Sequence, residues 1–213
     1  MSGLTLEASE LVVERAGRRI LDRASLTVAG GERVAVTGPS GAGKTTLLHV
    51  LAGLERPDAG MVRLGMAGQA GPRVAVVFQG HGLVSLLTSA ENVELALQAE
   101  RLARAEVRRR AAAALAAVGL GQGQDRLVEE LSSGQQQRVA VARALVVRPD
   151  VLLADEPTAE LDAATRDAVL DLVLAAAGHG AAVVLATHDL NLAARCDRQV
   201  RMLAGRLHGA GRA

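Results

Sequence analysis

The chain has 213 residues, of which 49% are apolar, and 24 Lys+Arg against 23 Asp+Glu leave a formal charge of +1. This balance argues against an electrostatic footprint for duplex nucleic acid or an anionic membrane, so no nucleic-acid partner is expected. The single cysteine, Cys196, cannot form an internal disulfide and indicates a reducing compartment. No signal-like segment and no apolar run of the ~18 residues needed to span a bilayer is evident, which predicts a cytoplasmic location.

The first third of the chain predicts an antiparallel sheet that leads into a parallel one. Apolar and polar residues tend to alternate over 4–13 and 24–28, with breaks at 16–19 and 30–32. An apolar strand over 34–37, a helix from 47 and a short strand over 61–64 follow, and 65–72 is a loop. The continuous apolar run over 74–78 is typical of a strand buried on both faces of a parallel sheet.

Residues 80–148 have a helical pattern, with helices over 91–97 and 103–118 and another headed by 131–135. The chain then returns to strand, helix and strand over 151–155, 163–177 and 182–186. This order predicts an α/β fold of one domain, with a core formed by 1–79 and 149–213, an N-terminal antiparallel β subdomain and an inserted α-helical subdomain over 80–148. The tail after Gly205 is expected to fray.

A glycine-rich loop between the strand over 34–37 and the next helix has the spacing Gly, four residues, Gly, Lys, Thr. Small residues let consecutive N–H groups converge on an anion where a helix N-terminus adds partial positive charge, which predicts a phosphate cradle rather than an empty turn. Lys44, the only lysine among the 24 Lys+Arg residues, would reach the β- and γ-phosphates, because a compact ammonium fits where a planar guanidinium does not. The cradle residues are Gly38, Pro39, Ser40, Gly41, Ala42, Gly43, Lys44, Thr45 and Thr46.

An acid pair, Asp155 and Glu156, ends the predicted strand over 151–155. With Thr45, Asp155 can hold the shell of a Mg²⁺ ion, and Glu156 can orient or deprotonate an attacking water. Acid pairs at strand ends are common, so this interpretation depends on the phosphate cradle upstream.

The runs 38–46, 131–135 and 155–158, taken in order, resemble the Walker A, signature and Walker B elements of ABC-type ATPases. The same order identifies Gln79 with the Q-loop, Asp162 with the D-loop acid and His188 with the switch histidine. The resemblance covers nearly the whole chain and implies a P-loop NTPase core. Ser132 and Gln135 also match a Ser-x-x-Gln capping box, which would stabilise any helix.

The resemblance also implies that ATP and Mg²⁺ bind between two subunits, either identical or paired, that associate head-to-tail. ATP on one cradle would be closed by the signature of the other subunit, since a helix N-terminus suits a γ-phosphate. The residues implied are Glu156, His188 and Gln79 for catalysis, Thr45, Gln79 and Asp155 for the metal, and Ser132, Gly134, Gln135 and Asp162 for the nucleotide.

Two departures from the family pattern affect the site. Ser133 stands where the family usually has a second glycine, which would strain dimer closure if that backbone favours φ > 0. The stretch 14–17 lacks the aromatic residue on which the family usually stacks adenine, and Arg15 is the best available platform there.

We therefore expect the ATP-hydrolysing subunit of an ABC transporter, peripheral on the cytoplasmic face of the membrane through polytopic permease subunits on other chains. Phe78, Gln79 and the helices after them would form the groove for a permease helix. The chain looks most like lipoprotein-release and macrolide-export ATPases. The alternative is a soluble or division-type ABC ATPase that does not itself drive transport.

Overall fold

The computed structural model describes residues 5–65 and 71–209, which form two sheets and a set of helices. The strands are β1 (Thr5–Arg15), β2 (Arg18–Ala29), β3 (Arg33–Thr37), β4 (Ala59–Gly65), β5 (Val74–Val77), β6 (Val151–Asp155), β7 (Ala182–Thr187), β8 (Arg198–Leu203) and β9 (Arg206–His208). The α-helices are α1 (Lys44–Leu51), α2 (Ser89–Ala96), α3 (Arg104–Ala117), α4 (Ser133–Val146), α5 (Ala163–Gly178) and α6 (Leu190–Ala193), with short 3₁₀ segments at Gln98–Glu100 and Val128–Glu130.

The N-terminal strands form the predicted antiparallel sheet, in the order β2-β1-β4. Ala16 and Gly17, with φ of 49° and 74°, make the tight turn that joins β1 to β2, and left-handed turn residues match the twist of a hairpin. The short strand predicted over 61–64 is the centre of β4 and pairs with β1. Leu4 and residues 66–70 of the predicted loop lie outside the described residues.

The larger sheet confirms the mainly parallel α/β core, in the order β5-β6-β7-β3-β8-β9. Every neighbouring pair is parallel except β8 with β9, and all residues of β6 and β7 are buried. The expectation that the strand over 74–78 is buried on both faces is wrong for β5, because β5 is the edge strand of this sheet and Val74 and Val76 are only partly buried. Because the carboxyl ends of parallel strands meet at one edge, the loops that follow β3, β5, β6 and β7 converge there. That edge carries the site.

The helices α2, α3 and α4 lie between β5 and β6 in the chain and share an apolar core with α5 and one face of the large sheet. The alanine-rich α3 buries little besides Ala111 and Leu115, so it lies close to its neighbours through small side chains. Across residues 5–65 and 71–209, no helix combines the length and apolar character needed to cross a membrane.

The expectation that the chain frays after Gly205 is wrong for 206–208, which form β9 on the edge of the large sheet. Ala204 and Gly205 turn the chain with φ of 46° and 79°. The Gly205 N–H donates to the Ala42 carbonyl at 3.0 Å, and the Asp22 N–H donates to the Gly205 carbonyl at 3.0 Å. The turn thus ties the C-terminal strand to the cradle loop.

Candidate functional site

The cradle loop joins β3 to α1, and two of its glycines are required by close backbone approach. Gly38 has φ of 146°, and a Cβ there would lie 2.2 Å from the Met202 carbonyl oxygen. Gly43 has φ of 107°, and a Cβ there would lie 2.7 Å from the Ile20 carbonyl oxygen. No residue with a side chain fits either position unless the backbone moves. Both glycines thus let the loop pack directly against β2 and β8.

Lys44, the first residue of α1, is buried inside the loop that precedes it. Its Nζ donates to the carbonyls of Gly38 at 2.8 Å and Pro39 at 3.1 Å. These bonds place the ammonium at the concave side of a loop that ends at a helix N-terminus. The arrangement has the charge and the N–H donors that a polyphosphate requires.

Thr45 and Asp155 meet across the cleft although 110 residues separate them in the chain, with Thr45 Oγ1 donating to Asp155 Oδ2 at 2.6 Å. Asp155 is 4% exposed. Its burial raises the pKa of the carboxyl, and the Thr45 hydrogen bond opposes that rise. A buried charge of this kind is costly to folding, which is typical of a functional group.

The pair fits Mg²⁺, because an adjacent hydroxyl and carboxylate supply hard oxygen ligands. Among the residues the structure describes, no group of three or more His, Cys, Asp and Glu could hold a metal. An ion at Thr45 and Asp155 would therefore take further ligands from other oxygen donors, such as Gln79 in the same cleft, phosphate oxygens and water.

Glu156 follows β6 and is held in the left-handed region, with φ of 47°. Its carboxylate accepts from Thr187 Oγ1 at 3.1 Å and from the His188 N–H at 3.0 Å, and it lies 2.7 Å from His188 Nδ1. The Glu156 side chain is 12% exposed and that of His188 is 71% exposed, so a largely buried carboxylate contacts an exposed ring.

Thr187 is a candidate site residue that the sequence analysis missed. It is fully buried at the end of β7, donates to Glu156 and accepts from the Asp189 N–H at 3.1 Å. A polar residue that ends an otherwise apolar strand, directly before a candidate histidine, is the signal that could have identified it.

These groups line one cleft of about 560 Å³. The predicted residues that the structure brings together there are Arg15, Ser40, Gly41, Gly43, Lys44, Thr45, Thr46, Gln79, Asp155, Glu156 and His188. Gly38, Pro39 and Ala42 belong to the same loop. Arg18, Ile20 and Ala159 also line the cleft and were not predicted; Arg18 and Ile20 follow the hairpin turn that carries Arg15.

Arg15 lies at the rim of the cleft and forms an ion pair with Glu55, whose Oε1 is 3.1 Å from Arg15 Nε. The Arg15 side chain is 55% exposed. The guanidinium that was predicted as a platform for a base is therefore held by an acidic partner 40 positions away in the chain.

The signature residues lie outside the cleft lining. Ser132 caps α4 as predicted: its Oγ accepts from the Gln135 N–H at 3.3 Å, and its N–H donates to Gln135 Oε1 at 3.0 Å. Ser133 is the first residue of α4 and is not among the residues with positive φ, so the strain considered for it does not arise in this chain.

Asp162, also outside the cleft lining, accepts from the Thr165 N–H at 3.0 Å and caps α5. That bond lowers the pKa of the Asp162 carboxyl. Within one chain, the four residues Ser132, Gly134, Gln135 and Asp162 are thus not brought to the cradle.

Comparisons with known proteins agree with this geometry. The family described as ABC transporter matches residues 21–159. YbbA, an uncharacterized ABC transporter ATP-binding protein of Escherichia coli K12, is 44% identical over 88% of each chain. The lipoprotein-releasing system ATP-binding protein LolD of Chromohalobacter salexigens is 43% identical over 88% of this chain and 84% of its own.

Among solved structures, a dimeric ATP-binding cassette in a post-hydrolysis state, bound to ADP and Pi, superposes with a TM-score of 0.88. It is 30% identical in sequence, and the match covers 98% of this chain and 100% of that one. With the family match over 21–159 and a 44% identical relative matched over 88% of each chain, the chain belongs to the ABC transporter family of ATP-binding proteins.

Proposed function

We propose that this chain is the ATP-binding and ATP-hydrolysing subunit of an ABC transporter and powers transport through separate membrane-spanning subunits. The observation that carries the proposal is the position of Glu156: its carboxylate is fixed by Thr187 and His188 and lines the same cleft as Lys44. A cradle alone supports binding, whereas a cradle with an oriented carboxylate supports hydrolysis.

The loop over 38–46 binds the triphosphate through its N–H groups and the Lys44 ammonium. Thr45 and Asp155, with Gln79 lining the same cleft, are the residues that would hold Mg²⁺. Held there, Mg²⁺ would supply positive charge that offsets the negative charge developing on the phosphate oxygens.

Glu156 orients the attacking water and accepts its proton as the water oxygen bonds to the γ-phosphorus. The bond from that phosphorus to the bridging oxygen breaks, which leaves ADP and phosphate. His188 donates to the carboxylate in the free cleft, and its exposed ring can turn to the γ-phosphate. General-base assistance of this kind is worth about 10²–10⁴ in rate.

A complete site requires a second cassette. The N-terminus of α4, with Ser132 and Gly134, lies outside the cleft of its own chain, and a head-to-tail partner would place the same residues over the γ-phosphate. Gln135 and Asp162 would approach the nucleotide from that partner as well. The dimeric state of the solved cassette relative supports this arrangement.

The permease would dock in the groove beside β5 and α2, whose lining includes Leu54, Phe78 and Leu95. Leu54 and Leu95 are exposed there, as expected for a surface that a partner covers. The groove lies where the core of 1–79 and 149–213 meets the helical insert of 80–148, the division we propose for this chain. Docking there would hold the subunit at the cytoplasmic face of the membrane, and the LolD relative suggests a related export task.

Two measurements test the proposal. The purified protein should release phosphate from MgATP, and tagged protein should co-purify from detergent-extracted membranes with a polytopic protein. A lack of hydrolysis would remove the ATPase role. Co-purification with nucleic acid in place of a membrane protein would instead indicate a soluble ABC ATPase.

A further inference from the structure

The first two turns of α4 lie against the loop that follows Glu156, residues 157–161. Gln137 is fully buried, and its Nε2 donates to the Pro157 carbonyl at 2.8 Å. One turn earlier, a Cβ on Gly134 would lie 2.9 Å from the Glu160 carbonyl oxygen, so the backbones of helix and loop are in direct contact. The N-terminal part of α4, which carries the signature, thus packs against the loop over 157–161, next to Glu156.

The Gln137 amide is a poor choice for stability alone. Its Oε1 is buried and has no hydrogen-bond partner among the described residues. A buried acceptor without a partner is costly, and an apolar side chain of similar shape would avoid that cost. A polar group retained against this cost suggests a role in function.

The contacted loop begins directly after Glu156 and is bonded to its carbonyl. It consists of two successive turns, in which the Ala159 N–H donates to the Glu156 carbonyl at 3.2 Å and the Leu161 N–H donates to the Thr158 carbonyl at 3.2 Å. Pro157 has no N–H, so a side chain can fix its peptide group only through the carbonyl. Gln137 makes that bond one residue after a backbone held at φ of 47°.

We propose that Gln137 is a positioning residue for ATP hydrolysis: by holding the Pro157 carbonyl, it fixes the loop that aims the Glu156 carboxylate and keeps that loop in register with the signature end of α4. The proposal rests on the ATPase function proposed above. The same contact would join two sites through one rigid unit. Glu156 lines the cleft of its own chain, whereas Ser132 and Gly134 would complete the cleft of the partner subunit.

The test compares kcat and KM for MgATP hydrolysis in Gln137→Met, Gln137→Glu and a matched control, Gln136→Met. Gln136 is the neighbouring residue of α4, and its Nε2 donates to the carbonyls of Val128 at 3.0 Å and Leu131 at 3.2 Å, away from the 157–161 loop. Both Met variants lose an amide bond from the same helix. Only one of them loses the bond to the loop after Glu156.

For Gln137→Met we expect kcat to fall between about 10- and 100-fold, the effect of a small misplacement of a reacting group, with KM within about twofold. The control should keep kcat within about twofold. Melting curves should show both variants folded at the assay temperature. Wild-type kcat in Gln137→Met, or an equal loss in the control, overturns the proposal; the hydrolysis rate of the unchanged protein tests the ATPase function separately.

Gln137→Glu supplies a readout that a merely structural role would not produce. A protonated glutamic acid can donate to the Pro157 carbonyl, whereas a carboxylate cannot, and burial favours the neutral form. Its kcat relative to the unchanged protein should therefore be highest at about pH 6 and fall as pH rises, while that of Gln137→Met stays low throughout. A Gln137→Glu protein as slow as Gln137→Met at every pH would contradict the assigned hydrogen bond.

Discussion

The two ends of the cleft are built differently. At the phosphate end, Lys44 and Asp155 are both buried. Lys44 donates a hydrogen bond to a carbonyl of the cradle loop, and Asp155 accepts one from the cradle residue Thr45. At the other end, Arg15 projects from a hairpin turn, is 55% exposed and is held by an ion pair with Glu55. One end is fixed by backbone and buried polar contacts, and the other by an exposed ion pair, which is worth little.

This difference indicates where the free energy of nucleotide binding and catalysis resides. Buried charges and preorganised N–H donors act strongly because water does not screen them. Surface contacts at the rim are screened by solvent and salt. Substitutions at the phosphate end should therefore have large effects on binding or turnover, and substitutions at the rim should have small ones.

The largest effect is expected for Lys44→Ala, which removes the ammonium from the centre of the cradle and should abolish detectable MgATP binding. Lys44→Arg is the matched control for charge. Because a planar guanidinium does not fit the space between the Gly38 and Pro39 carbonyls, it should fail as well. Titration with a fluorescent ATP analogue measures both variants; near-normal affinity in Lys44→Arg would show that charge alone suffices.

Glu156→Gln should lower kcat by about 10²–10⁴ and leave MgATP binding intact, because the substitution removes the base and keeps the shape of the side chain. The bound state should then accumulate as a dimer. Size-exclusion chromatography with MgATP, together with phosphate release, measures both properties. Turnover at the rate of the unchanged protein would remove Glu156 from its assigned role.

At the same end of the cleft, Asp155→Asn should have opposite effects on stability and function: it should stabilise the free protein and weaken its interaction with MgATP. Burial raises the pKa of this carboxyl above its value in the unfolded chain, so its charged form opposes folding above that pKa and the cost disappears as pH falls. Without nucleotide at pH 8, the variant should therefore melt at a higher temperature than the unchanged protein. The added stabilisation by MgATP should be lost.

Thermal melts with and without MgATP, at pH 8 and at a pH close to 3.8, the ordinary pKa of this carboxyl, test this reversal. The gain in Tm of the variant should shrink at the lower pH. A variant that melts lower than the unchanged protein and still gains stability from MgATP would show that Asp155 is a structural residue.

The sequence predicted the phosphate end better than the rim for a physical reason. The cradle, the acid pair and the Ser132 cap are local patterns whose spacing determines their geometry. The Arg15–Glu55 pair, the bond from Gln137 to Pro157 and the left-handed backbone of Glu156 depend on elements that only folding brings together. Contacts between residues that are distant in the chain cannot be predicted from local sequence patterns.

The same contrast applies to the fold. The strands β6 and β7 match those predicted over 151–155 and 182–186. The three-residue β9 was missed, because its pairing depends on a positive φ at Ala204. Alanine rarely adopts this conformation, so its presence in the sequence does not indicate a turn.

The smallest effects are expected at the rim. With no aromatic platform, the phosphate end supplies contacts that ATP and GTP share, so kcat/KM for GTP should lie within about tenfold of that for ATP. Arg15→Ala should lower both values by less than about threefold, and Arg15→Tyr should raise both, because base stacking on an aromatic face is stronger. Glu55→Gln, which releases Arg15 from its ion pair, is the matched control.

Measuring kcat/KM for ATP and GTP on the unchanged protein and on the Arg15 and Glu55 variants tests this prediction. A strong ATP preference that Arg15→Ala leaves untouched would show that adenine is recognised elsewhere, with Arg18 and Ile20 as the next candidates in the cleft lining.

The central claim is that Lys44 and Glu156 of one chain form a complete site only with Ser132 of a second. Mixing Lys44→Ala protein with Ser132→Arg protein tests it most directly, because neither variant alone can build an intact site, whereas each mixed dimer contains one. We expect MgATP hydrolysis to appear on mixing, with each mixed dimer working at up to about half the rate of an unchanged dimer because it has one intact site of two. Mixed dimers that form, as detected with two different tags, yet hydrolyse no faster than either parent would contradict it.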